Sequence, residues 1–346
     1  MTDRARIEAF FDRFVGMAAG SAAIGILAVA DRCGLLAWLG ENGGGTVAEI
    51  AAGAGLDRRY TEEILAGLTA VGVLEHEDGR FTLPPEHALF VADADSPYFM
   101  GGWFDMLPAA YEVIDRVARA AREGGGVPFD EFAEGMLRGL DRANGPSQRI
   151  LLTRKWLPAV EGLVERLESG IDVADVGCGT GTAVITMARA YPASRFTGFD
   201  VSERALAVAR ERAAGIGNLD LVRAGATEFE GSYDLITTFD VVHDLADPAA
   251  ALRHIREALR PGGVYLMMEP NMSSDLDRNT GDNAVINYGI SLLHCMTQSL
   301  AADGAGLGTA WGREAAEQMA CEAGFSSFEP LDQIANRFSA FYVLRP

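Results

Sequence analysis

Seven residues, Asp175-Val176-Gly177-Cys178-Gly179-Thr180-Gly181, have the types and the spacing to hold a nucleotide-like ligand. Glycine at every second position lets a backbone turn tightly and come close to a ligand. A helix opening directly after such a turn aims its free N–H groups at that ligand. The spacing is G-x-G-x-G, not the G-x-G-x-x-G of dinucleotide sites. About nineteen residues past Gly181 a strand-like run, Arg195 to Phe199, ends in Asp200. An acid at that point suits the two hydroxyls of a ribose. His243 is the residue best placed to move a proton. It lies four residues beyond Phe239, the end of another strand-like run, and a free imidazole titrates near pH 6.5. Glu269 closes the next apolar run, Val264 to Glu269. A carboxylate at the end of a neighbouring parallel strand can fix the tautomer of that imidazole. As the plain alternative, His243 is a hydrogen-bonded cap and Asp244 the N-cap of the next helix.

The elements that must position these groups alternate strand and helix through the C-terminal half. Ile171–Ala174, Arg195–Phe199, Leu219–Ala224, Tyr233–Phe239 and Val264–Glu269 read as strands, and Thr182–Ala190 as a helix after the glycine turn. That order implies a parallel sheet with helices on both faces, whose ligands sit beyond the carboxyl ends of the strands. Gly177, Asp200, Phe239 and Glu269 all fall at such ends. A long insertion, residues 271–310, holds an apolar stretch with Tyr288 and His294 and is placed to cap a site. Both residues are candidate substrate contacts, with core packing the alternative for His294. The closing segment, Arg337 to Arg345, reads as a final strand.

The first 90 residues read differently. Thr46-Val47-Ala48-Glu49 is a capping box and Asp57 a second N-cap. Asp78-Gly79 between Val73–His76 and Arg80–Leu83 is a hairpin turn. Helix, turn, helix and hairpin make a winged helix. Residues 96–168 read as connecting helices with apolar stripes, among them Trp103, Phe129 and Phe132. The stripes suit core packing, and Trp103 is also a candidate wall of a substrate pocket.

Composition narrows the function. With 49 acidic and 29 basic residues the formal charge is −20, and Lys155 is the single lysine. That balance argues against nucleic acid, whose affinity rests on cations meeting phosphates. Within the first hundred residues acids outnumber bases fifteen to seven, which turns the winged helix toward protein contacts. Cys33, Cys178, Cys295 and Cys321 are scattered, no cluster has metal spacing, and reduced thiols suit a cytoplasm. The charged N-terminus does not resemble a signal peptide. The uncharged run Phe14–Ala30 falls short of a membrane span and reads as a helix buried between subunits.

The motif DVGCGTG, followed by Gly198-Phe199-Asp200, resembles the class I methyltransferases that use S-adenosylmethionine. Tyr233–Phe239 and the turn Leu259-Arg260-Pro261-Gly262-Gly263 continue the likeness over residues 160–346. Val241-Val242-His243-Asp244 resembles the His-Asp segment of winged-helix O-methyltransferases, which use an N-terminal winged helix to dimerise. The resemblance implies an α/β chain: a Rossmann-like, mostly parallel seven-stranded sheet with an N-terminal all-α winged-helix domain. It implies a dimerisation domain at 1–95, a helical connector at 96–168 and a catalytic domain at 169–346. The cofactor would meet Asp175, Gly177, Cys178, Gly179, Gly181, Asp200, Val201, Ala226, Thr227, Phe239 and Asp240. The histidine of the His-Asp segment is the base of those enzymes, and Glu269 matches the glutamate that orients it. Two positions depart from the pattern. Gly225 or Ala226 stands where many relatives have an adenine-binding Asp, and a second orienting glutamate is replaced around Ala310 or Trp311. The expected protein is a cytoplasmic homodimer that methylates a small molecule on oxygen, without membrane or nucleic acid. The alternatives are transfer to nitrogen or carbon, a non-methylating use of the cofactor, and a ligand-sensing transcriptional regulator.

Overall fold

A computed structural model describes residues 2–346. The chain divides into two compact units. One runs to Ala109 and adds Glu134–Pro146; the other comprises Ala110–Ala133 and Ser147–Pro346. The segment 96–168, read from sequence as one connector, is thus shared between them.

The first unit opens on α1 (Arg4–Arg32), whose N-terminus is capped by the Asp3 carboxylate accepting from the Ala5 N–H. There follow α2 (Leu35–Asn42), β1 (Gly44–Gly45), α3 (Val47–Ala54), α4 (Arg58–Ala70), β2 (Glu75–Glu77) and β3 (Arg80–Thr82). The capping box of α3 is formed: Thr46 Oγ1 accepts from Glu49 N–H at 3.3 Å, and Glu49 Oε2 accepts from Thr46 N–H at 2.8 Å. Asp57 caps α4 through the Arg59 and Tyr60 N–H groups. Asp78 and Gly79 take φ of 49° and 76°, the pair of positive values that a tight hairpin turn requires. The unit is not wholly helical, because Gly44-Gly45 pairs with β3 and completes a three-stranded sheet, β1-β3-β2. Leu35, Leu36, Leu39, Ile50, Leu65 and Leu68 form its buried centre. A charged clamp ties its two chain segments together. Buried Asp105 accepts from Arg138 at 2.6 Å and Arg142 at 2.7 Å, and Arg142 also grips both oxygens of Asp31. Burial works against the Asp105 charge, but the two guanidinium groups hold its carboxyl below the usual range.

The α1 helix differs from its sequence reading. It continues N-terminally past the uncharged run, and by length and composition it is long and apolar enough to cross a membrane. Within the chain it is buried only at Leu27, Ala28 and Ala30. Phe10, Phe11 and Phe14 are 60%, 64% and 59% exposed.

The second unit is built on strands β4 (Asp172–Val176), β5 (Arg195–Asp200), β6 (Leu219–Arg223), β7 (Tyr233–Phe239), β8 (Leu259–Pro270), β9 (Ser327–Pro330) and β10 (Ser339–Arg345). They lie in the order β6-β5-β4-β7-β8-β10-β9. The first five are parallel, and β10 and β9 run antiparallel. The closing strand is therefore not the sheet edge. β9, which has no strong apolar alternation, covers it. Strand order reverses direction between β4 and β7, and the crevice at that point is where such sheets bind ligands. Apolar clusters cover both faces. One gathers Leu163, Val184, Phe196 and Phe341; the other gathers Leu252, Ile255, Tyr265 and Ala320.

Candidate active site

The glycine turn follows β4 as a backbone cradle. Gly177, Gly179 and Gly181 take φ of 74°, 55° and 81°, a region that side-chain-bearing residues rarely enter. A Cβ on Gly177 would come within 2.6 Å of Val241, so packing requires that glycine. A Cβ on Gly179 would meet nothing within 4 Å, so the backbone there faces open space. Asp200, at the end of β5, is locked by two backbone donors: Gly179 N–H to Oδ2 and Ser202 N–H to Oδ1, both at 2.8 Å. Burial pushes its pKa up against those bonds. Asp175 is buried too. Its Oδ1 accepts from Thr237 Oγ1 at 2.7 Å, while Oδ2 has no partner among the described residues. Burial raises that carboxyl to about 7.

These features fit S-adenosylmethionine, the cofactor the fold implies. The Gly179 turn leaves room for a close ligand, Asp200 is fixed with lone pairs to spare for a diol, and a buried carboxylate oxygen lacks a partner. Val201 is exposed, Ala226 is half-buried and Thr227 is exposed; all three lie past the carboxyl ends of β5 and β6. Cys178 is buried beside Gly198, and its thiol is pushed up by burial. Phe239 differs from the rest of the expected set. Its ring packs on Trp156 at 5.8 Å inside the core. Asp240 takes φ of 58° and donates its N–H to the Met268 carbonyl, which brings the ends of β7 and β8 together.

At those two ends sit His243 and Glu269, 3% and 1% exposed. His243 Nδ1 donates to Glu269 Oε2 at 2.7 Å. A carboxylate only accepts, so Nδ1 carries a hydrogen and Nε2 remains for chemistry. Glu269 Oε1 accepts from Val241 N–H at 3.3 Å and Val242 N–H at 2.9 Å, which fixes the carboxylate before the histidine meets it. Burial alone would depress the imidazole pKa. The adjoining Glu269 carboxylate, with Cys295, reverses that and holds it well above the ordinary value. Asp244 does not cap the next helix. Asp247 does so, through the Ala250 N–H at 2.8 Å, while Asp244 is half-buried, accepts from Gln298 Nε2, and is pushed up to about 7 by desolvation.

The insertion at 271–310 closes over this pair. Gly308 N–H donates to the His243 carbonyl at 3.0 Å, and Ala305 N–H to the Ala246 carbonyl at 2.9 Å. A π-helical turn, Ser291–Cys295, presents His294 and Cys295 side by side. Such turns recur at functional sites. His294 is buried, and its Nε2 has no partner among the described residues. Burial lowers its pKa to about 4, so the ring is neutral. Phe129 and Phe132 pack on it with centroids 5.9 and 5.0 Å away. The Cys295 thiol lies 3.5 Å from His294 Nδ1, and burial raises its pKa against the opposing pull of His243. Tyr288 is more open, its hydroxyl accepting from Asn279 Nδ2 at 3.1 Å. Trp103 belongs to the first unit and is half-buried against that unit's own core. Of the remaining histidines, His87 and His254 each bond a backbone carbonyl and His76 stacks on Phe81, all structural roles. Cys295, Gln298 and the indole of Trp311 are the site residues that sequence reasoning missed. The only signal was the position of 295 and 298 in an insertion of apolar character.

The site defines a Rossmann-like methyltransferase fold. Residues 167–319 match the methyltransferase-domain family, and residues 21–93 match the Rv2258c-like winged helix-turn-helix domain. The chain thus carries a methyltransferase domain and, ahead of it, a region matching a winged helix-turn-helix domain. An uncharacterized 37.1 kDa protein of transposon TN4556 from Streptomyces fradiae is 29% identical over 175 residues, 49% of each chain. Demethylmenaquinone methyltransferase of Staphylococcus aureus is 33% identical over 107 residues, 30% of this chain and 44% of that protein. The chain thus spans about half the length of the curated relatives it matches. Human N-acetylserotonin methyltransferase, solved with S-adenosylmethionine, shares the fold with a TM-score of 0.72 at 21% identity, over 99% of this chain and 98% of that one.

Proposed function

We propose that this protein transfers a methyl group from S-adenosylmethionine to a hydroxyl of a small, partly apolar or aromatic acceptor, with His243 as general base and Glu269 as its orienter. The observation that carries the reading is the buried His243–Glu269 pair, 2.7 Å apart, at the same sheet edge as the glycine cradle and Asp200. When bound, the cofactor supplies an electrophilic methyl on a sulfonium, whose departure as a neutral thioether needs no acid. The chain's own residues therefore have two tasks. They hold the acceptor in line, an effect worth up to about 7–11 kcal/mol, and they remove its proton. His243 Nε2 takes that proton while Glu269 stabilises the resulting charge on the ring. His294, neutral and unpartnered at Nε2 among the described residues, offers the acceptor a polar contact, with Tyr288 nearer the surface. The glycine turn with Asp175 and Asp200 holds the cofactor.

The acceptor is tested by supplying phenols, hydroxy acids and amines and following S-adenosylhomocysteine. Turnover with phenols or hydroxy acids is expected. Turnover with amines alone moves the reaction to nitrogen. No turnover across the panel, with the cofactor bound, favours a non-methylating role.

The winged helix serves protein contact in this reading. On α4, Arg58 and Arg59 are balanced by Glu62 and Glu63, and Arg59 is paired with Glu63, so the helix that a DNA-binding relative would use carries no net positive charge. The exposed phenylalanines of α1 need a cover, and a second copy of the chain in the cytoplasm supplies it. Light scattering is expected to give a stable dimer of about twice the 36.9 kDa chain mass. A monomer at micromolar concentration would overturn that assignment.

A further inference from the structure

We propose that Trp311 is a positioning residue of the catalytic pair: its indole N–H holds the second oxygen of Glu269 and so sets how strongly that carboxylate supports a charge on His243. The inference rests on the base assignment above and adds a residue to it.

Four donors meet the one buried carboxylate. Val241 and Val242 N–H occupy Oε1, and His243 Nδ1–H occupies Oε2 together with Trp311 Nε1–H at 3.2 Å. The indole is buried, and among the described residues its N–H has this single acceptor. It is held in place from several sides. Gly308 N–H bonds the His243 carbonyl just before it, Ser274 Oγ donates to its own carbonyl at 2.5 Å, and Arg313 N–H bonds the Met272 carbonyl just after it. A Cβ on Gly312 would strike the Ser274 backbone at 2.1 Å, so the chain can follow this path only through glycine.

The position matters because of the sign of the group there. A second carboxylate beside the imidazole would add negative charge and favour the imidazolium. Trp311 brings a neutral donor instead. It competes with the Nδ1–H for Oε2 and draws charge from that oxygen. A base that binds its proton less tightly returns it to solvent more readily after each turnover. Trp311 thus moderates His243 without touching the acceptor.

The test is the titration of His243 in ligand-free protein, read by NMR on isotopically labelled histidine. Two variants are compared with the wild type: Trp311→Phe, and replacement of Trp311 by its benzothiophene isostere, which keeps the shape and lacks the N–H. Loss of one hydrogen bond to a charged acceptor is expected to raise the His243 titration by about half a unit to one unit in both. The wild-type indole N–H resonance should be protected from exchange and shift as His243 titrates. These readouts need no acceptor, so a failure of the methyl-transfer reading leaves them intact. An unchanged or lowered His243 titration in the folded isostere variant would overturn the proposal. If neither variant folds, an indole N–H that exchanges freely or ignores the His243 titration in the wild type would overturn it equally.

Discussion

Replacing His243 by alanine should lower turnover by about 10²–10⁴-fold, the usual scale of general base catalysis. Cofactor affinity should stay nearly unchanged, because the proposed base acts on the acceptor and not on the cofactor. The pH profile gives a sharper check. The carboxylate of Glu269 holds the His243 pKa well above its ordinary value. The free enzyme must therefore lose that proton before the base can act. Wild-type kcat/KM should climb with pH through a limb that lies above 6.5, the value of a free imidazole. In His243→Ala the limb should vanish. Glu269→Gln should also lower turnover strongly: with its amide oxygen held by the Val241 and Val242 N–H groups, the amide nitrogen faces Nδ1 and favours the tautomer whose proton sits on Nε2. It should also move the limb to lower pH, because the charge that raises the imidazole is gone. The double variant should be far from additive, as expected of two groups that act together. Steady-state kinetics across pH 6 to 9 with a working acceptor provide the measurement. Near wild-type turnover in His243→Ala would remove the base assignment and leave positioning alone to account for the reaction.

Asp200→Ala should weaken cofactor binding by about 10²-fold or more. Two hydrogen bonds from a diol to one carboxylate would be lost, each worth about 1.5–3 kcal/mol when the acceptor is charged. The loss also frees the Gly179 and Ser202 N–H groups that the carboxylate now holds at 2.8 Å. Gly179→Val should abolish binding by a different route. Its side chain would enter the open space that the turn faces, at a backbone φ of 55°. Backbone strain alone must be separated from steric exclusion. Gly215 is the control: its φ is 85° and its surroundings are open, so Gly215→Val carries similar strain at a distance from the cradle. Calorimetry with S-adenosylhomocysteine should show binding retained in Gly215→Val and lost in Gly179→Val. Undiminished binding in both Asp200→Ala and Gly179→Val would mean that the cofactor lies elsewhere.

Local signals in the chain were legible because their causes are local. Thr46 and Glu49 cap a helix three residues apart, Asp78-Gly79 turns a hairpin, and Gly181 opens the helix Thr182–Ala190. Strand ends were legible for a related reason: Tyr233–Phe239 is rich in aromatic and β-branched residues and ends before Asp240, and its limits coincide with β7. The order of strands let His243 and Glu269 be placed on neighbouring ends, since parallel sheets align the carboxyl ends of their strands. The closing strand was legible as well, but not β9, a four-residue strand with little alternation that takes the sheet edge by pairing with β10. Tertiary structure alone decided which donors meet Glu269. Val241 and Trp311 stand 28 and 42 residues from it in sequence. It also decided that Asp247 rather than Asp244 caps a helix, and that a π-helical turn sets Cys295 beside His243. Conformational preference acts over a few residues and is written in each of them. Side-chain partners across tens of residues depend on how every intervening element packs, and no single stretch of sequence contains that sum.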